Sequence, residues 1–183
     1  MRLFYGLSLP QAVRAQTAAL ADAAARHIPG RYSPAENHHL TLCFIGEVDE
    51  ARLPDVQEIL ARCAAAFPAP AVTIDAYSYF GRAENAILIL AAQSDPALAP
   101  LHEALKAELT AAGLPCDPGP FSPHVTLARK AQLAGSKMPA AFSPICFAAP
   151  CAHLYLSARD DGNVLRYTPI FSAPFAESAI LEP

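Results

Sequence analysis

The sequence predicts a mixed fold of α-helices and β-strands in which one structural unit occurs twice and two similar strands face a shared cleft. The first observation is a stretch, HLTLCFIG from His39 to Gly46, which recurs in shortened form as HVTLAR from His124 to Arg129. The second is the order of strand, helix, proline-bearing loop and His-x-Thr strand, which both halves follow. The third is spacing: the motif histidines lie 85 positions apart, and the same offset carries Arg2 of the first strand onto Ile87 of a later strand.

Hydrophobic periodicity and turn residues predict the elements in chain order. In the first half, Pro10 suits the first turn of a helix, and prolines 68 and 70 end the next helix. The first half is expected to contain strand 2–8, helix 11–27, motif strand 39–45, helix 49–66 and strand 71–79. A turn at residues 81–85 leads into the second half, in which Ser94 or Asp95 is suited to cap a helix. The second half is expected to contain strand 86–92, helix 97–112, motif strand 124–129, a loop over 130–144, and strands 152–158 and 164–171 flanking Asp161-Gly162.

Length and composition favour one domain, residues 1–183, with halves of approximately 1–85 and 86–183. The apolar fraction is 53%, which is ample for a core, yet no segment reaches the ~20 apolar residues that span a bilayer. The apolar N-terminal run is broken by Pro10 and Arg14, so we expect no export signal. Five cysteines without CxxC spacing argue against a disulfide framework and a zinc site, and favour a cytoplasmic protein.

The charge balance limits the class of ligand. A formal net charge of −4 argues against a broad electrostatic contact with duplex nucleic acid. It remains compatible with a small phosphate-bearing ligand, or an RNA end, bound by a few local cations. We expect no membrane contact and no protein partner, and a monomer.

The two motifs carry the chemistry. Side chains alternate along a strand, so His39 and Thr41 share one face, while Leu40, Leu42 and Phe44 are expected on the other. His124 and Thr126 share a face in the same way. Composition gives a chance expectation of roughly 0.2 His-x-Thr triplets, whereas two occur, both within apolar alternation.

This combination of side chains suits a phosphodiester. Two opposed imidazoles with ordinary pKa values near 6.5 can serve as one general base and one general acid near neutral pH. Two threonine hydroxyls can donate hydrogen bonds to the non-bridging oxygens of a phosphate between them. The arrangement requires no metal ion and no cofactor.

The paired motifs resemble the HxTx signatures of the 2H phosphoesterases. The opening MRLFYGLSLP, the segment Glu36–Leu42 and FSPHVTLAR over Phe121–Arg129 are similar to bacterial RNA 2′,3′-cyclic phosphodiesterases, also called 2′-5′ RNA ligases. The resemblance covers nearly the whole chain. It implies a bilobed, duplicated α+β fold, with two antiparallel sheets facing a central cleft and helices on the outside.

The resemblance also implies an activity and residue roles. The activity is metal-independent hydrolysis of an RNA terminal 2′,3′-cyclic phosphate, or of a small cyclic nucleotide, to a 2′-phosphate. His39 would be the proton donor to the leaving 3′ oxygen, and His124 the proton acceptor that activates water. Thr41, Thr126 and Arg129 would bind the phosphate.

Several further residues are weaker candidates. His38 departs from the apolar residue usual before the first motif, and adjacent strand residues face opposite ways, so we expect it to be structural or on the surface. Phe4 is able to stack on a base, although a core position is favoured. Other histidines (27, 102, 153) have no partner pattern, and four arginines (2, 31, 82, 166) are able to line an RNA-end site although isolated arginines usually face solvent.

Three alternatives remain open from sequence. The same histidines can catalyse cleavage or ligation of 2′-5′ phosphodiesters, because the chemistry is reversible. A non-catalytic nucleotide- or RNA-end-binding module would keep the pocket without turnover, although it has little need for both histidines. A zinc protein would use His39, His124 and Cys43, because strand alternation puts Cys43 on the face of His39, but the threonines would then have no role.

Overall fold

The computed structural model describes residues 1–93, 96 and 98–176. Within these ranges the chain forms nine β-strands, three α-helices and two short 3₁₀ turns, at Ala35–Asn37 and Glu50–Arg52. The strands are β1 (Arg2–Ser8), β2 (Arg31–Tyr32), β3 (His39–Glu47), β4 (Ala71–Phe80), β5 (Ala86–Gln93), β6 (His124–Ala131), β7 (Ile145–Ala148), β8 (Cys151–Arg159) and β9 (Leu165–Pro174). The helices are α1 (Gln11–Ala25), α2 (Leu53–Ala66) and α3 (Leu98–Ala111).

The predicted order of the long elements is confirmed, with ends that differ by a few residues. The helix expected over 49–66 instead begins with the 3₁₀ turn, where the Asp49 side chain accepts a hydrogen bond from the Ala51 amide at 2.9 Å. Strands β2 and β7 were not predicted, because segments of two and four residues carry little periodic signal. The expected cap at Ser94 or Asp95 lies outside the described residues, as does Ala97.

The strands form one antiparallel sheet in the order β7-β4-β5-β6-β3-β1-β8-β9, with β2 also paired to β6. Strands β3 and β6 join at a single pair, Leu40 with Val125. The sheet therefore consists of two halves, each with four strands in line, that meet where the motif strands touch, and β2 is added at β6. The expectation of two separate sheets is not confirmed, because this junction makes the sheet continuous.

A β-bulge follows the motif threonine in β3. Tyr5 pairs with Cys43 and Gly6 pairs with Thr41, so Leu42 has no partner on β1. The extra residue shifts the side-chain alternation. Cys43 is consequently buried on the face of the helices, and Phe44 lines the opposite face. The sequence placed both side chains on the wrong faces, since strict alternation assumes an unbroken ladder.

The second motif strand contains a matching bulge. Thr126 and Ala128 pair with consecutive residues of β5, which leaves Leu127 without a partner. Ala128 is buried, and the next residue, Arg129, lies on the same face as the motif threonine. Strict alternation would have put Arg129 on the opposite face.

The main core lies between the helices and one face of the sheet. Leu3, Tyr5 and Leu7 of β1 are fully buried there, and the Tyr5 hydroxyl donates to the Val56 carbonyl of α2 at 2.6 Å. Each fully buried leucine of this kind contributes about 1.5–3 kcal/mol. This layer fixes the outer face of the motif strands and leaves their inner face for a cleft. Within the described residues, no helix has the length and apolarity needed to cross a lipid bilayer.

Candidate active site

A cleft with a volume of about 460 Å³ lies on the sheet face that the helices leave uncovered. It brings together all five residues that the sequence nominated, which are His39, Thr41, His124, Thr126 and Arg129. They come from the two motif strands, which meet beside this point. Residues 85 positions apart in the chain are thus neighbours in space.

His39 is held at both ring nitrogens. Its Nδ1 lies 2.7 Å from the carbonyl oxygen of Asn37, and its Nε2 lies 3.0 Å from Oγ1 of Thr41. A carbonyl can only accept, so Nδ1 carries the proton and donates it. In the neutral imidazole, Nε2 therefore has a free lone pair, which accepts a hydrogen bond from the Thr41 hydroxyl.

His124 is anchored in the same way. Its Nδ1 donates to the carbonyl oxygen of Ser122 at 2.7 Å, again two residues upstream in the chain. Its ring forms a T-shaped pair with Phe80, with 4.9 Å between ring centroids. The second imidazole thus also keeps Nε2 available for proton transfer.

Aromatic rings surround His39 more completely than His124. Phe4 lies 4.7 Å from the His39 ring, Tyr167 lies 4.9 Å from it edge-on, and Tyr155 lies at 5.7 Å. Phe4 and Tyr155 are themselves stacked at 4.9 Å. Phe4 is buried, as expected, but it packs beneath the catalytic candidate on the cleft side instead of joining the main core.

This environment makes the free imidazoles poor bases. Burial, with smaller contributions from His124, His38 and Arg129, lowers the pKa of His39 to about 4, against the opposing effect of its hydrogen bond to the Asn37 carbonyl. Burial also lowers the pKa of His124, with Arg129 as a second lowering influence. Both rings are therefore mainly neutral at pH 7 in the unliganded protein.

The cleft also contains residues that the sequence did not single out. Asn37 donates through its side-chain amide to the Leu165 carbonyl at 2.7 Å and accepts from the Tyr167 amide at 3.2 Å. It thereby ties the approach to the first motif to the start of β9. No sequence signal marked these contacts, because they join residues about 130 positions apart. The remaining unpredicted lining residues are Ser33, Ser157, Ala158, Arg159, Leu165 and Tyr167.

Of the weaker candidates considered next, His38 and four arginines, only Arg2 lines the cleft. His38 is buried on the opposite face, where its Nδ1 lies 2.9 Å from Oγ1 of Thr17, so its structural role is confirmed. Arg2 lines the cleft, whereas Arg166 forms an ion pair with Asp160 outside the lining. Two further arginines, 31 and 82, also lie outside the lining.

His102 and His153, which had no partner pattern, each have hydrogen bonds. His102 donates through Nδ1 to the carbonyl of Leu42 at 2.7 Å, and so satisfies the bulge residue of β3. His153 lies between the hydroxyls of Ser8, at 3.0 Å, and Ser172, at 2.8 Å.

The zinc alternative is wrong for the ligand set that it named. It required Cys43 on the face of His39, but the bulge at Leu42 buries that thiol on the opposite side. There, burial raises the pKa of the Cys43 thiol to about 12, and the Cys116 thiol is a second raising influence. An imidazole pair and this cysteine therefore cannot converge on one ion.

The chain has clear relatives. A family model described as the 2′-5′ RNA ligase superfamily matches residues 9–163. The RNA 2′,3′-cyclic phosphodiesterase of Escherichia coli is 30% identical over 173 residues, which cover 92% of this chain and 93% of that protein. The RNA 2′,3′-cyclic phosphodiesterase of Thermotoga maritima is 30% identical over 131 residues, which cover 70% of each chain.

Solved structures show the same fold. A protein of Thermus thermophilus superposes with a TM-score of 0.82 at 26% identity, over 97% of this chain and all of that one. Escherichia coli LigT in complex with 3′-AMP superposes with a TM-score of 0.77 at 29% identity, over 96% of this chain and 98% of that one.

Proposed function

The chain belongs to the 2′-5′ RNA ligase superfamily, and from this we propose that it is an RNA 2′,3′-cyclic phosphodiesterase that opens the terminal cyclic phosphate of RNA. The observation that carries the proposal is the pair of imidazoles in one cleft, each with Nδ1 anchored by a carbonyl two residues upstream. Curated relatives that bear this name are 30% to 36% identical to the chain. The enzyme is a phosphoric diester hydrolase.

The proposed reaction is a displacement at phosphorus. Nε2 of His124 accepts a proton from water as the water oxygen bonds to phosphorus. The bond from phosphorus to the 3′ oxygen breaks, and Nε2 of His39 donates a proton to that oxygen. The product is a 2′-phosphate with a free 3′-hydroxyl. The assignment of donor to His39 and acceptor to His124 rests on the family resemblance, since both rings have the same anchoring.

The phosphate itself is held by neutral and cationic donors. Hydroxyls of Thr41 and Thr126 and the guanidinium of Arg129 would donate to the non-bridging oxygens, where charge accumulates in the transition state. This scheme uses no metal ion and no cofactor, because side chains supply the proton transfers and the charge stabilisation.

Substrate binding favours the protonated form of His39, which the free protein largely lacks at neutral pH. A proton donor must be protonated, yet burial holds the pKa of His39 at about 4. A phosphodiester anion in the cleft favours the imidazolium and so raises that pKa. Protonated Nε2 no longer accepts a hydrogen bond from Thr41, so the threonine hydroxyl becomes free to donate to the phosphate.

The decisive experiment is incubation of the purified protein with a nucleoside 2′,3′-cyclic phosphate in excess EDTA, with products separated as 2′- and 3′-phosphates. A 2′-phosphate product supports the diesterase and the two-histidine scheme. If neither this substrate nor a cyclic-phosphate-ended oligonucleotide turns over, the proposal is wrong. A protein that binds both without turnover would instead be a nucleotide- or RNA-end-binding module.

A second candidate activity is cleavage or formation of 2′-5′ phosphodiesters, which is favoured by the description of the matching family. A 5′-hydroxyl in place of water would give a 2′-5′ linkage with the same two histidines. Incubation of cyclic-phosphate-ended RNA with a 5′-hydroxyl RNA, followed by a search for a joined product, tests it.

The domain organisation is explained by an internal duplication. We infer a single domain over 1–183 that arose by duplication, with halves near 1–85 and 86–183. The two bulges, at Leu42 and Leu127, support it because they lie at the motif offset of 85 residues. The two halves of the sheet support it too, because each has the same order outward from the junction: a motif strand (β3 or β6), the first strand of the same half of the chain (β1 or β5), and then a strand from the other half of the chain (β8 or β4).

We also propose that the protein acts in the cytoplasm as a monomer on RNA 3′ ends, without a protein partner. The five cysteines are unpaired in the structure, which suits a reducing compartment. Sedimentation of the purified protein tests the monomer.

A further inference from the structure

The cleft is lined by an excess of positive charge. Arg2, Arg129 and Arg159 all line the cleft, and no carboxylate is among its described lining residues. The whole chain has a formal net charge of −4, so this local excess of positive charge runs against the overall balance. Arg129 belongs to the second motif, which leaves Arg2 and Arg159 without a role in the reaction as proposed.

Arg2 is oriented for an anion. Its guanidinium carbon lies over the ring of Phe44, 5.0 Å from the ring centroid, a cation–π contact that holds the group against the ring. This contact uses no N–H group, so the guanidinium keeps its donors for bidentate bonding to a phosphate. The bulge at Leu42 enables this contact, because it turns Phe44 onto the cleft face.

Neighbouring carboxylates are engaged elsewhere. Glu47, the residue opposite Arg2 on β3, has an oxygen 3.8 Å from the N-terminal ammonium group. Asp160 pairs with Arg166 at 2.8 Å. Arg159 donates through Nη1 to the Asn163 carbonyl at 2.6 Å, which positions its side chain and leaves its other donors unused by that bond.

Strand register places both arginines toward the same end of the cleft, away from Thr41. Gly6 is level with Thr41, and Arg2 is four residues further along β1, a span of about 13 Å in an extended strand. Leu3 pairs with Leu156, so Arg159 of β8 reaches the same end of the cleft.

We propose that Arg2 and Arg159 form a second phosphate subsite, which binds the phosphate on the 5′ side of the terminal nucleotide. This inference rests on the proposed function and names its substrate class: the enzyme distinguishes a nucleotide that continues a chain, or carries a 5′-phosphate, from a bare nucleoside cyclic phosphate.

The test compares adenosine 2′,3′-cyclic phosphate with and without a 5′-phosphate, so that the substrates differ in that group alone. The wild-type protein is expected to show a kcat/KM about tenfold higher for the 5′-phosphorylated substrate, the gain of one charge-assisted contact. Arg2→Gln and Arg159→Gln should each lower this ratio, and the double variant should bring it near one. The salt dependence of KM for the phosphorylated substrate should become shallower in each variant.

Arg82→Gln is the matched control, because Arg82 is exposed on the turn between β4 and β5, outside the cleft lining, and loses the same charge. It should retain the wild-type ratio. Equal kcat/KM for the two substrates in the wild-type protein would overturn the subsite while leaving the diesterase intact. A ratio that Arg82→Gln lowers as much as Arg2→Gln would also overturn it. Failure to turn over either substrate would overturn the proposed function and the subsite with it.

Discussion

At the residue scale, two adjacent histidines occupy different environments because their side chains lie on opposite faces of the sheet. His39 points into the cleft beside Thr41, whereas His38 is buried next to Thr17. The alternation of side chains was sufficient to predict this difference from the sequence.

Removing either cleft imidazole should abolish most turnover without unfolding the protein. His39→Ala and His124→Ala are each expected to lower kcat by on the order of 10² or more, the usual contribution of general acid–base catalysis. Steady-state kinetics and circular dichroism check the two parts of the expectation. His27→Ala, at an exposed position on the outer side, is the control with wild-type activity.

His38→Ala should behave in the opposite way. It removes a buried hydrogen bond and is expected to cost about 1–3 kcal/mol of stability, with kcat retained. If His39→Ala lost stability as His38→Ala does and kept its kcat, this result would contradict a catalytic role for His39.

The motif threonines should matter less than the histidines. Thr41→Ala and Thr126→Ala each remove one neutral donor to the phosphate, and we expect kcat/KM to fall about tenfold. Thr41→Ser and Thr126→Ser keep the hydroxyl and should recover most of the loss. If the serine variants are as slow as the alanine variants, the hydroxyls are not the relevant groups and the methyl groups pack the site.

The pH dependence of kcat/KM should report the lowered pKa values of the free enzyme. One ring must be neutral and the other protonated, so activity follows a bell. Burial lowers the pKa of both His39 and His124 below 6.5, and we therefore expect the centre of the bell below pH 6.5. The profile of kcat should lie at higher pH, because the bound phosphodiester anion favours the imidazolium. A flat kcat/KM between pH 5 and 9 would rule out the two-histidine scheme.

At the element scale, the two bulges explain where sequence analysis succeeded and failed. Period-two alternation predicted the faces of His39 and Thr41 correctly, because the ladder is regular up to the threonine. Beyond it, the unpaired Leu42 reverses the alternation, and the faces of Cys43 and Phe44 were predicted wrongly. A bulge depends on the pairing of two strands, so one strand's sequence does not encode it.

The same limit applies to Arg129 and to the aromatic wall. Arg129 was nominated by family resemblance, whereas alternation alone would have excluded it. Tyr155 and Tyr167 approach His39 from β8 and β9, more than one hundred residues later in the chain. Local sequence patterns predict the helix or strand to which a residue belongs. Contacts between residues so far apart in the chain depend instead on how the sheet curls.

A substitution at Gly6 tests how closely β1 and β3 approach each other. A Cβ added at Gly6 would lie 2.8 Å from the Leu40 carbonyl oxygen and 3.5 Å from a ring carbon of His39. Backbone cannot yield as a flexible side chain does, so Gly6→Ala should shift β3 and cost about 1–3 kcal/mol. We expect a lower melting temperature and a lower kcat together. Unchanged values of both would show that the strands have more room than the structure indicates.

At the scale of the whole molecule, the burial of histidines links the structure of the cleft to the stability of the fold in acid. The fold holds several histidines where burial lowers their pKa, namely His38, His39, His124 and His153. In the unfolded chain these groups regain ordinary pKa values near 6.5. Between about pH 4, the pKa of folded His39, and pH 6.5, the unfolded state therefore binds more protons than the folded state.

The free energy of unfolding should accordingly fall as the pH is lowered from 6.5 to 4, since stability decreases on acidification wherever the unfolded state binds more protons. His39 alone accounts for up to about 3 kcal/mol of this loss, at 1.36 kcal/mol for each unit of pKa difference. Asp160, whose pKa is lowered mainly by its hydrogen bond to Arg166, acts below its ordinary value of 3.8 and so outside this window. Urea unfolding at pH 7, 6, 5 and 4 measures the slope, and His39→Gln should make it shallower, because the variant lacks the group that must gain a proton. A slope that His39→Gln leaves unchanged would mean that the desolvated imidazole of the cleft is not what makes the fold sensitive to acid.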